Sequence, residues 1–384
     1  VGASFVFEAV AHDGRARGGR MHLPHGVVET PAFMPVGTQG AIKGLTLDRV
    51  TEIGADILLA NTYHLHVRPG DERIARLGGL HAFMGWPRPI LTDSGGYQVF
   101  SLAARRRLSE DGVVFRSHVD GRALSLSPES AVEIQSRLGS DIQMALDECP
   151  SWPVPHEVAG SAMARTARWA RRARDRFAAL VPPGAPPLIT PGQAQFGIVQ
   201  GSTFKDLRDR SAALTVAIGF EGYAIGGLSV GEPTEAMYDV VEHTACQLPD
   251  SAPRYLMGTG TPVDVIESVR RGIDLFDCVL PTRNARNGQI FTRDGPMSIK
   301  NARYADDLRP LDPGCACPTC RTHSRAYLRH LFMAGEMSAA ALNTLHNLHF
   351  YLDTMRAIRK AIKFGTFESF RVSFLEAYSR RRSP

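Results

Sequence analysis

Eight short apolar runs, separated by stretches with helical patterning, set the strongest limit on what this chain can fold into. They occupy residues 32–36 (AFMPV), 56–60 (DILLA), 89–93 (PILTD), 141–147 (DIQMALD), 196–200 (FGIVQ), 223–227 (YAIGG), 255–258 (YLMG) and 275–280 (LFDCVL). Strands this short and this continuously apolar are buried on both faces, as parallel strands covered by helices are. Eight such units predict an α/β chain closed into a (β/α)8 TIM barrel rather than an open doubly wound sheet.

The helix starts between the runs are readable. Ser127-Pro128-Glu129 places a capping hydroxyl, then proline at the first helical position, then an acid against the helix dipole. Thr261-Pro262-Val263-Asp264 repeats the device. Thr46-Leu47-Asp48 and Thr203 before Phe204-Lys205-Asp206-Leu207 predict two further capped starts. Residues 113–126 read as a hairpin turned at Asp120-Gly121. Residues 157–177 read as a basic helix with its arginines facing solvent, and 182–195 as an exposed Pro/Gly-rich loop.

The ends of the runs carry the chemistry. Asn61, Asp93, Asp147, Gln200, Gly227, Gly258 and Asp277 lie at or just past their C-terminal ends. In a barrel those ends converge on one face, where the catalytic groups of the fold sit. Asp277 interrupts an otherwise buried run, and Pro281-Thr282-Arg283-Asn284-Ala285-Arg286-Asn287-Gly288 follows closely. Burying a carboxylate is expensive unless the charge is paired or used. Asp277 is therefore a candidate nucleophile facing an anionic substrate.

Composition narrows the setting. The 384 residues are 43% hydrophobic and 22% charged, enough for one large domain with an appendage or for two domains. A net charge of +5 permits a polyanionic partner without requiring one. No run approaches the ~18 apolar residues of a membrane span, and no charged-then-apolar leader opens the chain. A reducing cytoplasm is the expected compartment, with no membrane partner. Three of the six cysteines fall within Cys315-Ala316-Cys317-Pro318-Thr319-Cys320. This cluster predicts metal ligation, with a fourth ligand from His323, His330, His346 or His349; spacing does not choose among them. A filled four-ligand site is structural, since it leaves no position open for water.

Together these blocks resemble the tRNA-guanine transglycosylase family, in its bacterial form, from about residue 5 to residue 378. The resemblance rests on Asp93-Ser94-Gly95-Gly96-Tyr97-Gln98-Val99-Phe100, Met144-Ala145-Leu146-Asp147-Glu148-Cys149 and Phe196-Gly197-Ile198-Val199-Gln200-Gly201. It rests also on Gly226-Gly227-Leu228-Ser229-Val230-Gly231-Glu232, Tyr255-Leu256-Met257-Gly258-Thr259-Gly260 and Phe276-Asp277-Cys278-Val279-Leu280-Pro281-Thr282-Arg283. The cysteine cluster with His346-Asn347-Leu348-His349 completes it.

The resemblance implies a barrel catalytic domain with an N-terminal extension over residues 1–300, a zinc-binding subdomain over 301–346, and a C-terminal helical segment over 347–384. It implies one structural Zn2+ per chain on Cys315, Cys317, Cys320 and His346. The implied reaction exchanges guanine at the anticodon wobble position of G-U-N tRNAs (Asp, Asn, His, Tyr) for 7-aminomethyl-7-deazaguanine, the precursor of queuosine. Asp277 matches the nucleophile and Asp93 the general acid/base. Ser94, Gly95, Gly96, Tyr97, Asp147, Gln200, Gly227, Leu228 and Met257 match the base pocket. Gly258-Thr259-Gly260-Thr261-Pro262-Val263-Asp264 and Thr282-Arg283-Asn284-Ala285-Arg286 match the segments that bind the tRNA anticodon stem-loop. The family also implies a homodimer.

The residue types suit the reaction. A leaving guanine gives the ribose anomeric carbon positive character, as in glycoside hydrolysis, and a carboxylate can trap that carbon covalently. The acid/base must titrate near working pH. Asp147 can accept from guanine N–H donors, Gln200 and the Gly227 N–H can serve its carbonyl, and Tyr97 and Met257 can cover its faces. Two positions depart from the family pattern: Val199 stands where a second glutamine is common, and Pro150-Ser151-Trp152 replaces Thr-Pro-Tyr. Cys149 and Val230 favour the aminomethyl base over bulky queuine. The alternatives are a queuine-using or archaeosine-type transglycosylase, a barrel glycosidase using Asp93 and Asp277, and a non-catalytic RNA-binding subunit. The last typically loses the carboxylates retained here.

Overall fold

A computed structural model describes residues 5–102, 106–117, 119–180 and 189–379, and in it eight parallel strands close into a (β/α)8 barrel. The strands are β1 (Ala32–Met34, continued by Val36–Gly37), β2 (Leu58–Ala60), β3 (Ile90–Thr92), β4 (Ile142–Met144), β5 (Ala194–Val199), β6 (Gly222–Ile225), β7 (Arg254–Leu256) and β8 (Leu275–Asp277). Pro35 divides β1, because it has no N–H for the ladder. The first half of β1 pairs with β8, Leu275 opposite Ala32, and the second half pairs with β2, Val36 opposite Leu59. The ring therefore closes through one interrupted strand.

Two expected boundaries move. The last run stops as a strand at Asp277, which pairs with Met34; the next residue on that neighbour is Pro35. Residues from Leu280 onward form the helix Leu280–Arg286 instead. The loop expected over 182–195 is shorter, because Ala194 and Gln195 already belong to β5, and Thr190 and Gln193 are buried. Residues 182–188 of that loop lie outside the described residues.

Period-two alternation sorts the barrel residues into two cores. Leu59, Leu91, Met144, Phe196, Ile198, Ala224, Tyr255 and Leu275 fill the lumen. Their neighbours Leu58, Ile90 and Phe276 pack outward against the helices, together with Trp169, Val241, Ile266 and Leu348. A three-stranded antiparallel sheet (Val6–Asp13, Ala16–Leu23, Gly26–Thr30) covers the bottom of the barrel, and its Met21, Leu23 and Val28 plug the lumen. Two buried carboxylates clamp this sheet to the strand starts. Asp274 holds Arg17. Asp141 accepts from the His25 backbone N–H at 2.9 Å and the Ile90 N–H at 2.8 Å, and meets His25 Nδ1 at 2.9 Å and His81 Nε2 at 3.0 Å.

Of the expected caps, Ser127 Oγ accepts from the Ser130 N–H at 3.1 Å and Thr261 Oγ1 from the Asp264 N–H at 3.2 Å. Thr46 precedes its helix without a side-chain cap bond, and Phe204, not Thr203, flanks the helix Lys205–Ile218. The hairpin is present as Val113–Arg116 paired with Ala123–Leu126. Most arginines of the basic helix, His156–Ala179, are paired rather than free: Arg165 with Glu148, Arg168 with Glu110, Arg172 with Glu129 and Arg174 with Glu221, while Arg171 is exposed to solvent. The helix Met337–Lys363 runs unbroken through position 346, linking the cysteine cluster to the barrel wall. Among the described residues no helix is long and apolar enough to cross a membrane.

Candidate active site

Alternation also places the polar strand ends. Leu59, Leu91 and Leu275 face the lumen, so Asn61, Asp93 and Asp277, two residues further on, face the same axis at its upper mouth. There they line one cavity of about 490 Å³ together with Asp147, Gly227 and Gly258. Ser94, Gly95, Tyr97, Leu228, Met257 and Arg283 complete the expected part of its wall.

Asp93 is held on both oxygens. Oδ1 accepts from the Thr62 N–H at 2.8 Å and the Gly95 N–H at 3.2 Å. Oδ2 accepts from Asn61 Nδ2 and from Gln98 Nε2, the latter at 2.8 Å. Burial pushes the carboxyl up to about 6; the Asn61, Thr62 and Gln98 bonds oppose the rise and the Asp277 charge adds to it. The group is poised to give and take a proton near neutrality.

Asp277 is held on one oxygen only. Oδ1 accepts from the Tyr255 hydroxyl at 2.6 Å and the Gly258 N–H at 2.8 Å, and Oδ2 has no hydrogen bond among the described residues. Burial raises its pKa, and the two donors oppose the rise. A carboxylate fixed by one oxygen and open at the other is arranged for nucleophilic attack.

Asp147 receives Gln200 Nε2 at 2.6 Å, and burial pushes it up to about 6 against that bond, with Asp93 and Glu148 adding to the rise. Gln200 stands behind Asp147 rather than on the cavity wall. Its Oε1 has no hydrogen-bond partner among the described residues and abuts Gly227, where a Cβ would run into it. Gly227 also has φ +68°, so glycine is required there twice over. Gly96 likewise stands behind the wall, and a Cβ on it would meet the Asp147 carbonyl at 2.9 Å. Tyr97 presents its ring at the rim, 55% exposed.

The two segments expected to bind RNA divide by exposure. Gly258 and Arg283 are exposed, and Thr261, Val263, Asp264, Asn284 and Arg286 are partly so. Thr259, Gly260, Pro262, Thr282 and Ala285 are buried and shape the backbone beneath them. Asn284 donates to Gln289 at 2.7 Å. Arg286 Nη1 is buried with no hydrogen-bond partner among the described residues, and burial lowers the guanidinium's pKa.

The cysteine cluster selects its histidine. The Sγ atoms of Cys315, Cys317 and Cys320 lie 3.7, 3.5 and 3.2 Å from His346 Nδ1. A tetrahedral zinc with its usual bond lengths needs S···N separations of about 3.5 Å. His346 Nε2 lies 2.8 Å from the Phe291 carbonyl, the bond that leaves Nδ1 free for a metal. The four donors lie within 4.8 Å of one another, so the site fits a four-coordinate metal ion. His349 Nδ1 comes within 3.6 Å of Cys315 Sγ but is not one of the four.

Tyr255, Asn61, His64 and Cys149 also belong to the site, and the sequence reading gave none of them a catalytic role or a hydrogen bond. Tyr255 was findable: lumen alternation points it at the same axis as Asp277. His64 arrives on the short helix Thr62–Val67 and Cys149 on a loop, and strand alternation reaches neither. Burial drives the Cys149 thiol up to about 12, so it stays neutral. Glu232 accepts from the Ser229 and Val230 N–H groups, the latter at 3.0 Å, and so holds the loop after Gly227.

Known proteins match this arrangement along nearly the whole chain. A profile of the family described as queuine tRNA-ribosyltransferase matches residues 13–380. A queuine tRNA-ribosyltransferase of Cereibacter sphaeroides is 55% identical over 370 residues, covering 96% of both chains. One from Syntrophobacter fumaroxidans is 54% identical over 370 residues, again 96% of both. One from a Shewanella species is 52% identical over 374 residues, covering 97% of this chain and 98% of the relative.

Proposed function

The chain belongs to the queuine tRNA-ribosyltransferase family, a family of tRNA-guanine transglycosylases, and on that footing we propose how it performs the exchange. The substrate is guanine at the wobble position of G-U-N tRNAs, and the incoming base is 7-aminomethyl-7-deazaguanine. Asp277 Oδ2 attacks the ribose anomeric carbon, the glycosidic bond to guanine breaks, and Asp93 supplies the proton that lets guanine leave neutral. The incoming base then gives a proton to Asp93, and its ring nitrogen displaces the Asp277 carboxylate. Two inversions retain the configuration.

One observation carries this reading: two carboxylates remote in sequence share one cavity, one held on both oxygens and near neutral titration, the other open on one oxygen. Asp147, with Gln200 behind it and Gly227 beside it, is placed to read the purine edge. Tyr97 and Met257 supply apolar surface for its faces. An unpaired anticodon base is swung into such a pocket at modest cost. The metal on Cys315, Cys317, Cys320 and His346 is zinc in this reading; all four positions are filled by protein, so it organises structure and takes no part in the exchange. A cytoplasmic homodimer accompanies the reading on the family resemblance.

The test is trapping. Incubated with a cognate tRNA and no incoming base, the protein should form a complex that survives a denaturing gel. Asp277→Ala should form none and exchange no labelled guanine while keeping its fold. Exchange by that variant at the wild-type rate overturns the assignment.

A further inference from the structure

Behind the pocket lies a charge that the reaction does not use. Arg208, on the helix Lys205–Ile218, is wholly buried and makes no ion pair among the described residues. Its guanidinium donates only to main-chain carbonyls: Nε to Ser202 O at 2.9 Å, Nη1 to Val199 O at 2.8 Å and Nη2 to Gly226 O at 2.8 Å. Val199 immediately precedes Gln200, and Gly226 immediately precedes Gly227. One planar fork thus spans the ends of β5 and β6 at the two residues before the purine-reading groups.

We propose that Arg208 is the positioning residue for base recognition, setting the Gln200 amide against Gly227 by bridging the ends of β5 and β6 with the turn at Ser202.

Three features support a positioning role over simple packing. The backbone it holds is irregular: Ser202, whose carbonyl it binds, has φ +51°, a left-handed conformation that a non-glycine residue keeps only when its surroundings hold it. The same helix also grips Gln200 directly, since Ser211 Oγ accepts the Gln200 N–H at 3.0 Å. Finally, the tolerance at the Gln200–Gly227 contact is small, because the amide oxygen abuts the glycine. Burial lowers the guanidinium to about 10, which still leaves it charged at working pH, so all three bonds are charge-assisted. A lysine ammonium is a point donor and cannot reproduce a three-way planar fork.

The inference rests on the base-reading roles proposed for Gln200 and Gly227, and the experiment separates the two. Guanine exchange is measured in Arg208→Gln, Arg208→Lys and Gln200→Ala, with separate KM values for guanine and tRNA and with thermal melts. Arg208→Gln should raise KM for guanine by about 10-fold or more, in line with a lost charge-assisted contact. KM for tRNA should stay within about twofold, and Arg208→Lys should fall between that variant and wild type. If Gln200→Ala raises KM for guanine and a folded Arg208→Gln does not, the Arg208 proposal fails alone. If Gln200→Ala leaves KM for guanine unchanged, the base-reading role falls and takes the proposal with it. A parallel loss in both KM values and in melting temperature, without improvement in Arg208→Lys, reduces Arg208 to fold support and overturns the proposal. Should Arg208→Gln not fold, Arg208→Lys decides: a raised KM for guanine alone supports the proposal, and an unchanged one refutes it.

Discussion

Tyr255 donates its phenolic hydrogen to Asp277 Oδ1 at 2.6 Å, from one strand across to the next, and so fixes which carboxylate oxygen remains open to the cavity. The bond stabilises the ionised form and opposes the rise caused by burial. Tyr255→Phe should therefore raise the Asp277 pKa and move the acid limb of kcat/KM for exchange to higher pH. Activity at neutral pH should fall by about 10-fold or more, the usual worth of a hydrogen bond to a charged group. Unchanged acid limbs in the two proteins would show that the hydroxyl does not act on the nucleophile.

In the proposed mechanism the basic limb belongs to Asp93. Its carboxyl titrates at about 6 and must carry a proton when guanine leaves, so that form declines about tenfold per pH unit above 6. Asp277 must be ionised, which supplies the acid limb. A bell-shaped pH profile follows, its limbs set by the interacting carboxylates jointly. Asp93→Asn should abolish exchange across the range. A flat wild-type profile through neutrality is incompatible with these roles.

Arg283 is exposed beside the cavity and makes no ion pair among the described residues. Arg283→Ala should weaken tRNA binding and make the log Kd–log salt slope shallower by about 0.7, the signature of one lost phosphate contact. Arg168→Ala should change neither, because Arg168 is already paired with Glu110 on the outer helix. Equal effects from both variants would remove the assignment of the Thr282–Arg286 segment to RNA.

Purified protein should contain about one zinc per chain. Cys320→Ser should lose it and destabilise the segment packed on Ile290, Met297, Tyr304 and Leu328. His349→Ala should keep it, although His349 lies close to Cys315. Elemental analysis decides: full metal content in Cys320→Ser, or its loss in His349→Ala, rejects the ligand set.

Asp141 supplies a stability test remote from the chemistry. Burial alone would raise its pKa, but the bonds from His25 and His81 win and bring it down to about 2. A depressed carboxylate contributes stability above its unfolded value of about 4, and that contribution is lost as pH falls through the folded value. Asp141→Asn should cost roughly 2 kcal/mol at pH 7. The gap to wild type, read by urea unfolding, should close between about pH 4 and pH 2. A gap that stays constant with pH would mean that the charge is not what holds the clamp.

The sequence by itself determined the repeating β/α pattern, the barrel it closes into, and the polar residue at each strand end. Those signals are local: apolar runs, caps and turn residues act over a few positions. Alternation added which strand-end side chains face the axis, and the cysteine spacing announced a metal site. Only the tertiary structure decided the rest. Spacing left four histidines open and the resemblance pointed to His346; the structure supplies the reason, since the Phe291 carbonyl meets His346 Nε2 and leaves Nδ1 toward the cysteines. It split β1 at Pro35, which has no N–H for the ladder, and ended β8 at Asp277, whose partner Met34 is followed by that proline. It revealed Tyr255 bound to Asp277 and Arg208 behind Gln200 and Gly227. Hydrogen bonds between separate strands and helices exist only once the ring has closed, so no local pattern encodes them.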